Sequence, residues 1–321
     1  MSFWESLTKP IVVSAPLADV TDPAFRKLLA KYGKPDITWT EFVSADGLYH
    51  TREMKKMRDE ENPLMRDLQF DDAERPIVAQ LFTSKPEMMA YAAKLAAELG
   101  FDGIDINMGC PDESIEKQGS GAAMIQAPEV AQAVIRAAKE SGLPVSVKTR
   151  VGYSSEILDE WLPALFEAEP VAVTLHLRTR KEMSLVPARW DLMQKAVGLR
   201  DRFAPGILML GNGDVKSLAE AKQKAEETGA DGVMIGRGMF GNFWVFAGRK
   251  PEDVSKEEKL AALVELAHEY EKLAPAKPFH ILKKHVKAFV SGFDGAAELR
   301  GKLMETNGAD ELERAISENR L

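Results

Sequence analysis

The sequence is poor in the residues that build metal centres and disulfides. It contains one cysteine, Cys110, and five histidines in 321 residues. One cysteine cannot form an intramolecular disulfide or supply the paired ligands of a structural zinc site. His280 and His285 are five positions apart and do not share one helical face, so we predict no metal site. The thiol is therefore a core group, a reactive group or a proton donor.

Long apolar runs are also missing. The longest fall far short of the roughly 20 residues that span a bilayer, which excludes a membrane-spanning protein. The opening stretch MSFWESLTKPIVVSAPLADV lacks the basic, apolar and small-residue segments of a signal peptide. We therefore expect a cytoplasmic protein.

Positive charge is scarce overall. The formal net charge is −8, which argues against nucleic-acid binding over the whole surface. The stretch from Lys277 to Lys302 is the exception, because it holds six basic residues and two acidic ones. This contrast indicates either a local site for an anionic partner or merely solvated helix faces.

Short apolar runs rich in β-branched residues recur along the first part of the chain. There are eight of them: PIVVSAP, DITWTEFV, PIVAQLF, GIDINMG, PVSVKTR, VAVTLHLR, GILMLGNG and GVMIGRG. Helix-like segments separate them, and this alternation predicts an α/β fold of the (β/α)8 TIM-barrel type over residues 1–250. Only helical patterns follow, which predicts a small C-terminal helical domain over 251–321. The charged segment 49–75 has no assignment.

Residue parity along the predicted strands indicates where a site would lie. Lys148 and Arg150 share one face of their strand, as His176 and Arg178 do on the next, and apolar residues occupy the other faces. Asn107 follows the same rule. Polar groups near the carboxyl ends of barrel strands predict a site at the barrel mouth. By itself, Lys148 could form a Schiff base, place a cation beside an electron-rich cofactor, or belong to a structural ion pair. Asn107 and His176 could equally be structural residues that make hydrogen bonds inside the barrel.

Two glycine-containing loops follow the last two strands. They are GNGD at 211–214 and GRG at 236–238. Barrel enzymes often bind phosphate with these two loops, since glycine lets backbone N–H groups approach the oxygens and an arginine adds a forked donor. The GSGAAM stretch at 119–124 is not a dinucleotide fingerprint, because it lacks the third glycine and the preceding strand; we expect a loop near the active site.

Together these motifs resemble the tRNA-dihydrouridine synthase family, and the resemblance covers nearly the whole chain. The matching segments are APLADVTDPAFRKLL, TEFVSADGL, DINMGCP with GSGAAM, VKTRVG, LHLRTR, GNGD, IGRG and the tail LKKHVKAFVSGFDGAAELRGKLMET. Leu17 stands where the family usually has Met, and Leu177 where it usually has Gly.

The resemblance implies an FMN-dependent enzyme that reduces uridine in tRNA with NADPH or NADH. Cys110 would be the catalytic acid, and Asn107 and Arg178 would lie near the flavin or the base. The implied FMN contacts are Pro16, Leu17, Gln80, Lys148, His176, Asn212, Gly213, Asp214, Gly236 and Arg237. We expect a monomer that binds tRNA through a cationic face of the tail, formed by Lys283, Lys284, Lys287 and Arg300.

The implied chemistry gives the single thiol a role. Reduction of the uracil C5=C6 bond needs a hydride at C6 and a proton at C5, and a thiol with a reference pKa of about 8.5 is mostly protonated near neutral pH. Three other hypotheses stay open: an FMN-dependent barrel enzyme acting on a small molecule such as dihydroorotate or a dihydropyrimidine, an inactive tRNA-binding relative, and a Schiff-base aldolase, which would be colourless.

Overall fold

Parallel strands close into a barrel in the computed structural model, which describes residues 2–319. The strands are β1 (Ile11–Ser14), β2 (Thr38–Trp39), β3 (Val43–Ser44), β4 (Ile77–Phe82), β5 (Gly103–Met108), β6 (Val145–Arg150), β7 (Ala172–His176), β8 (Leu208–Asn212) and β9 (Gly232–Ile235). Their order is β1-β9-β8-β7-β6-β5-β4-β2, and β3 also pairs with β4. The ring closes where the N–H of Asp36 donates to the carbonyl of Val12 (2.9 Å) and that of Ser14 donates to Ile37 (3.3 Å). The predicted (β/α)8 barrel is confirmed.

Helices cover the barrel and continue into the tail. They are α1 (Pro23–Gly33), α2 (Ala45–Tyr49), α3 (Pro63–Asp67), α4 (Pro86–Glu98), α5 (Glu113–Glu116), α6 (Pro128–Lys139), α7 (Leu158–Phe166), α8 (Asp191–Phe203), α9 (Leu218–Thr228), α10 (Lys256–Glu271), α11 (Phe279–Phe289), α12 (Ala296–Glu305) and α13 (Ala309–Glu318). Proline occupies the first turn of α1, α4 and α6, where its missing N–H costs no helical hydrogen bond. Within residues 2–319, no helix is both long and apolar enough to traverse a bilayer.

The tail packs into the same core as one side of the barrel. In α11 the Phe289 ring lies 4.9 Å from the Phe243 ring, which in turn lies 4.9 Å from Phe25 of α1. All three side chains are fully buried. The helical tail is confirmed, whereas a domain boundary at residue 250 stays a prediction.

The second predicted strand is broken into β2 and β3. Between them, the Thr40 hydroxyl accepts a hydrogen bond from the N–H of Gln80 (3.0 Å) and donates to the Glu41 carbonyl (2.8 Å). The Thr40 hydroxyl thus replaces a backbone carbonyl as the acceptor that β4 would meet in an unbroken second strand. The break turns Glu41 towards the tail, where its carboxylate meets the Lys277 ammonium at 3.2 Å.

The unassigned segment 49–75 joins the barrel to the tail. It forms a π-helical turn at His50–Met54, the short α3 and two 3-10 turns at Asp59–Glu61 and Asp72–Glu74. Arg66 and Gln69 donate to the carbonyls of Pro275 (3.3 Å) and Ala274 (3.0 Å) in the tail. Part of the segment's charge is therefore structural, and the sequence pattern could not show this because the partners are about 200 residues away in the chain.

The ion pair between Arg26 and Glu74 gives a test of this packing. Both side chains are 1% exposed, and Arg26 Nε lies 2.7 Å from Glu74 Oε2. Arg26→Ala would leave a buried carboxylate without its partner, so the free energy of unfolding should fall by about 3 to 5 kcal/mol in urea denaturation. Arg58→Ala is the control, because its partner Glu61 is exposed, and it should leave the midpoint unchanged. Equal midpoints for the two variants would contradict the structural role.

Candidate active site

One cavity of about 1070 Å³ opens at the carboxyl ends of the barrel strands. It collects every site residue that the sequence predicted in the barrel: Pro16, Leu17, Gln80, Asn107, Cys110, Lys148, His176, Arg178, Asn212, Gly213, Asp214, Gly236 and Arg237. The predicted tail residues do not line it. Among the residues that were not predicted as site residues, Phe42, Arg150 and Lys216 also line the cavity.

The parallel register explains why these residues meet. Asn107 of β5 lies opposite Lys148 of β6, and Arg150 lies opposite His176 of β7, which lies opposite Asn212 of β8. Because parallel strands end at the same rim, side chains of equal register and equal parity converge. The polar faces of these strands therefore lie where residue parity predicts them.

Lys148 presents an unpaired cation to the cavity. Within residues 2–319, its ammonium makes no hydrogen bond or ion pair with the protein. Burial, helped by the nearby Arg150 guanidinium, lowers the pKa of Lys148 to about 8, although Asp105 acts in the opposite direction. The ammonium is thus available to an electron-rich ligand, and a structural ion pair is excluded within the described chain.

His176 is held neutral with a defined tautomer. Its Nε2 lies 3.1 Å from Arg178 Nη1. A guanidinium only donates, so Nε2 must accept and the proton must sit on Nδ1. Burial holds the pKa of His176 well below its ordinary value, and the neighbouring Lys148 lowers it further. The ring can therefore offer one N–H donor but no charge.

One corner of the cavity fits a phosphate group. Within residues 2–319, the backbone N–H groups of Gly213, Asp214, Gly236 and Arg237 have no protein acceptor. Gly213 has φ +138°, and a Cβ there would lie 2.6 Å from the Ala188 Cβ, so the close approach requires glycine. These free donors, with an arginine beside them, suit a phosphate.

The carboxylate of Asp214 lies in this corner, and two arginines neutralise its charge. It accepts from Arg178, from Arg237 Nη2 (2.6 Å) and from the Ala188 N–H (2.8 Å). These contacts hold the pKa of Asp214 below its usual range, the bond from Arg178 being the largest cause. Arg237 uses only Nη2 here and its side chain is 65% exposed, so its other N–H groups remain available. The backbone N–H of Leu17 already donates to the Thr21 hydroxyl (3.0 Å), so the predicted contact with the cofactor would have to use another atom of Leu17.

The Cys110 loop is held from three directions. Asn107 Oδ1 accepts the N–H groups of Gly109 (3.1 Å) and Cys110 (2.9 Å), and Arg150 Nε donates to the Gly109 carbonyl (2.7 Å). Behind the loop, the Ala122 N–H donates to the Cys110 carbonyl (2.9 Å). The GSGAAM segment therefore supports the backbone of the Cys110 loop. Burial raises the pKa of the Cys110 thiol, which keeps it protonated.

Arg150 is the main functional side chain that sequence reasoning left out. Besides Gly109, its guanidinium donates to the carbonyls of Thr179 (3.1 Å) and Met183 (3.0 Å). It therefore fixes the cysteine loop against the loop that follows β7. Its parity with Lys148 was the available signal, but the contacted carbonyls could not be identified from sequence.

The basic tail is less open than its composition indicates. Lys277 is buried among Glu41, Asp19 and Asp22, at 3.2 to 3.7 Å. Lys284 lies 3.6 Å from Asp19, while Lys283 and Arg300 donate to the carbonyls of Met304 (2.8 Å) and Val290 (2.7 Å). Lys287 is exposed. The tRNA contacts of these residues stay a prediction, and Lys277 is a structural residue.

Comparison with known proteins agrees with this geometry. A family model described as "Dihydrouridine synthase (Dus)" matches residues 13–320. A "Probable tRNA-dihydrouridine synthase" of Staphylococcus aureus (strain COL) is 39% identical over 99% of this chain and 95% of its own length. A "Probable tRNA-dihydrouridine synthase 2" of Bacillus subtilis (strain 168) is also 39% identical, over 99% and 96%.

A solved structure of histamine dehydrogenase from Rhizobium sp. 4-9 shares the fold. Its TM-score is 0.50 at 13% identity, and the match covers 80% of this chain and 48% of that one. Such a low identity bears on the architecture only. The family follows from the sequence matches over almost the full length: the chain belongs to the dihydrouridine synthase family.

Proposed function

We propose that the protein reduces uridine in tRNA to dihydrouridine at the barrel-mouth cavity, with FMN as cofactor and NADPH or NADH as reductant. The observation that carries the proposal is the convergence of a protonated thiol, an unpaired lysine and a phosphate-binding corner in one cavity. The relatives named as tRNA-dihydrouridine synthases support the same activity.

The donor set of the cavity fits a flavin mononucleotide. The corner at Gly213, Asp214, Gly236 and Arg237 would hold one phosphate, and the Lys148 ammonium would face the electron-rich edge of the ring system. A neutral His176 adds one directed donor. When bound, the flavin supplies the hydride for C6 of uracil. With one phosphate corner and no dinucleotide fingerprint, the chain favours FMN over FAD.

Cys110 would hold the proton that C5 of uracil takes up. The thiol lies at the rim of the same cavity, and its raised pKa keeps the proton on sulfur at neutral pH. A general acid needs this protonation state before it acts. Asn107 and Arg150 would keep the sulfur in place, because they hold the backbone on either side of the Gly109–Cys110 peptide bond.

Arg237→Ala tests the phosphate corner. We expect a yellow wild-type protein that releases FMN on denaturation, and a variant whose FMN dissociation constant rises by about 10- to 100-fold. This corresponds to the loss of a charge-assisted contact of about 1.5 to 3 kcal/mol. Flavin fluorescence titration measures it. Arg202→Ala is the matched control, because Arg202 lies where α8 leads into the amino-terminal end of β8, at the other end of the barrel from the cavity. This variant should bind FMN normally. Equal FMN affinities in the two variants would disprove the assignment.

Cys110→Ala tests the proton donor. The variant should bind FMN and oxidise NADPH at the wild-type rate, since hydride arrival does not need the thiol. Its reaction with tRNA should slow by about 10²- to 10⁴-fold, the usual contribution of a general acid. Stopped-flow measurement of each half-reaction separates the two steps. In the wild type, the tRNA step should slow as the pH passes the raised pKa of the thiol, and the variant should lack this loss of rate. Normal turnover by the variant would assign the proton to another group.

Lys283→Glu with Lys287→Glu tests the tail. The double variant should keep its FMN and its NADPH oxidation but bind tRNA more weakly. The slope of log K against log salt should fall by about one unit per lost phosphate contact. Lys94→Glu with Lys222→Glu changes the same charge on α4 and α9 and controls for net charge. If both double variants bind tRNA alike, the tail face is only solvated and a small-molecule substrate gains support.

A further inference from the structure

A chain of buried polar groups runs from the barrel interior to the cysteine loop. It starts at Asp105, which is fully buried and does not line the cavity. The Asp105 carboxylate accepts from Ser146 Oγ and from Gln80 Nε2, both at 2.6 Å. Gln80 Oε1 then accepts from Asn107 Nδ2 (3.1 Å), and Asn107 Oδ1 accepts from the N–H groups of the loop.

The chemistry of its first member fixes the direction of this chain. Burial raises the pKa of Asp105 to about 6, with the hydrogen bonds from Ser146 and Gln80 opposing the shift, so the group is mostly a carboxylate at neutral pH. A carboxylate can only accept, so Gln80 must turn its NH2 group towards Asp105 and its oxygen towards Asn107. Asn107 must then turn its own NH2 group towards Gln80, which leaves its oxygen for the loop. Reversing either amide would bring two oxygens together and leave buried N–H groups without acceptors.

We propose that Asp105 is a positioning residue for Cys110, because its carboxylate sets the direction of the Gln80 and Asn107 amides and thereby keeps an acceptor under the Cys110 loop. The proposal rests on the proposed function, in which Cys110 donates the proton. Asp105 itself touches neither the thiol nor the cavity. Its effect is transmitted through two side-chain amides.

Moving the carboxylate along the chain tests the proposal. In Asn107→Asp, carboxylates at both ends compete for the one NH2 group of Gln80. In the double variant Asp105→Asn with Asn107→Asp, only the loop end carries a carboxylate. The chain can then run in reverse, with Asn at 105 donating to Gln80 and Asp at 107 still accepting from the loop. The carboxylate can thus occupy either end but not both.

The readout is the rate at which iodoacetamide alkylates Cys110 in the FMN-loaded protein, followed by intact mass. Cys110 is the only cysteine, so the signal is unambiguous. Asn107→Asp should react about 10-fold faster than wild type, because the side chain at 107 loses its hydrogen bond to Gln80 and is no longer held under the loop; this is the factor that one lost buried hydrogen bond produces. Asp105→Asn should also react faster. An amide at position 105 can donate or accept, so it no longer fixes the orientation of the Gln80 and Asn107 amides that keeps an acceptor under the loop. The double variant should return to within about 3-fold of wild type.

Asp231→Asn is the matched control. Asp231 is a buried barrel carboxylate that accepts from the Met209 N–H (2.8 Å) and from Arg200 Nη1 (2.5 Å), outside this chain. It should lower the melting temperature without changing alkylation. A double variant that reacts faster than both single variants would overturn the proposal, and so would equal rates in all variants. If Asp105→Asn does not fold, comparison of the alkylation rates of Asn107→Asp and the double variant still tests the proposal. Alkylation needs no tRNA, so failure here is distinct from failure of the proposed function.

Discussion

Burial of charged and polar groups at one rim of the barrel is the constraint on which the site depends. The carboxyl ends of parallel strands lie at the same end of the barrel, so Lys148, His176 and Arg150 line one cavity and are largely shielded from solvent. Burial then disfavours each ionised form. It lowers the pKa of Lys148 to about 8, keeps His176 neutral and keeps the Cys110 thiol protonated. Burial thus favours a neutral histidine and a protonated thiol, while Lys148 stays mostly cationic at neutral pH although burial lowers its pKa.

The remaining architecture keeps those groups in place. Arg150 and Asn107 fix the cysteine loop, and two arginines neutralise Asp214 so that the phosphate corner stays favourable for an anion. The tail is attached through a second buried charge cluster, in which Lys277 meets Glu41. Burial there raises the pKa of Glu41 to about 7, with Lys277 opposing the shift. The cluster lies next to Leu17 and Phe42 in sequence, which links the tail to the wall of the cavity.

The barrel fold and most of the residues that line the cavity could be predicted from the sequence, because they follow from local periodicity. Strand parity placed Lys148, His176 and Asn107 at the barrel mouth, and the glycine loops placed Gly213 and Arg237 in one corner. Contacts between distant segments were not accessible. The break between β2 and β3, the docking of segment 49–75 on the tail and the burial of Lys277 each depend on a partner far away in the chain. Asp105 shows the same limit, since parity gives its face but not the amides that it orients.

If this cavity reduces uridine in tRNA, dihydrouridine should form on a tRNA transcript that contains none at the start. The most direct measurement incubates unmodified tRNA transcripts with the FMN-loaded protein and NADPH, digests the RNA and analyses the nucleosides by mass spectrometry. We expect a uridine product heavier by two hydrogens, confined to defined positions of the tRNA. A wild-type protein that consumes NADPH but leaves every uridine unchanged would contradict it.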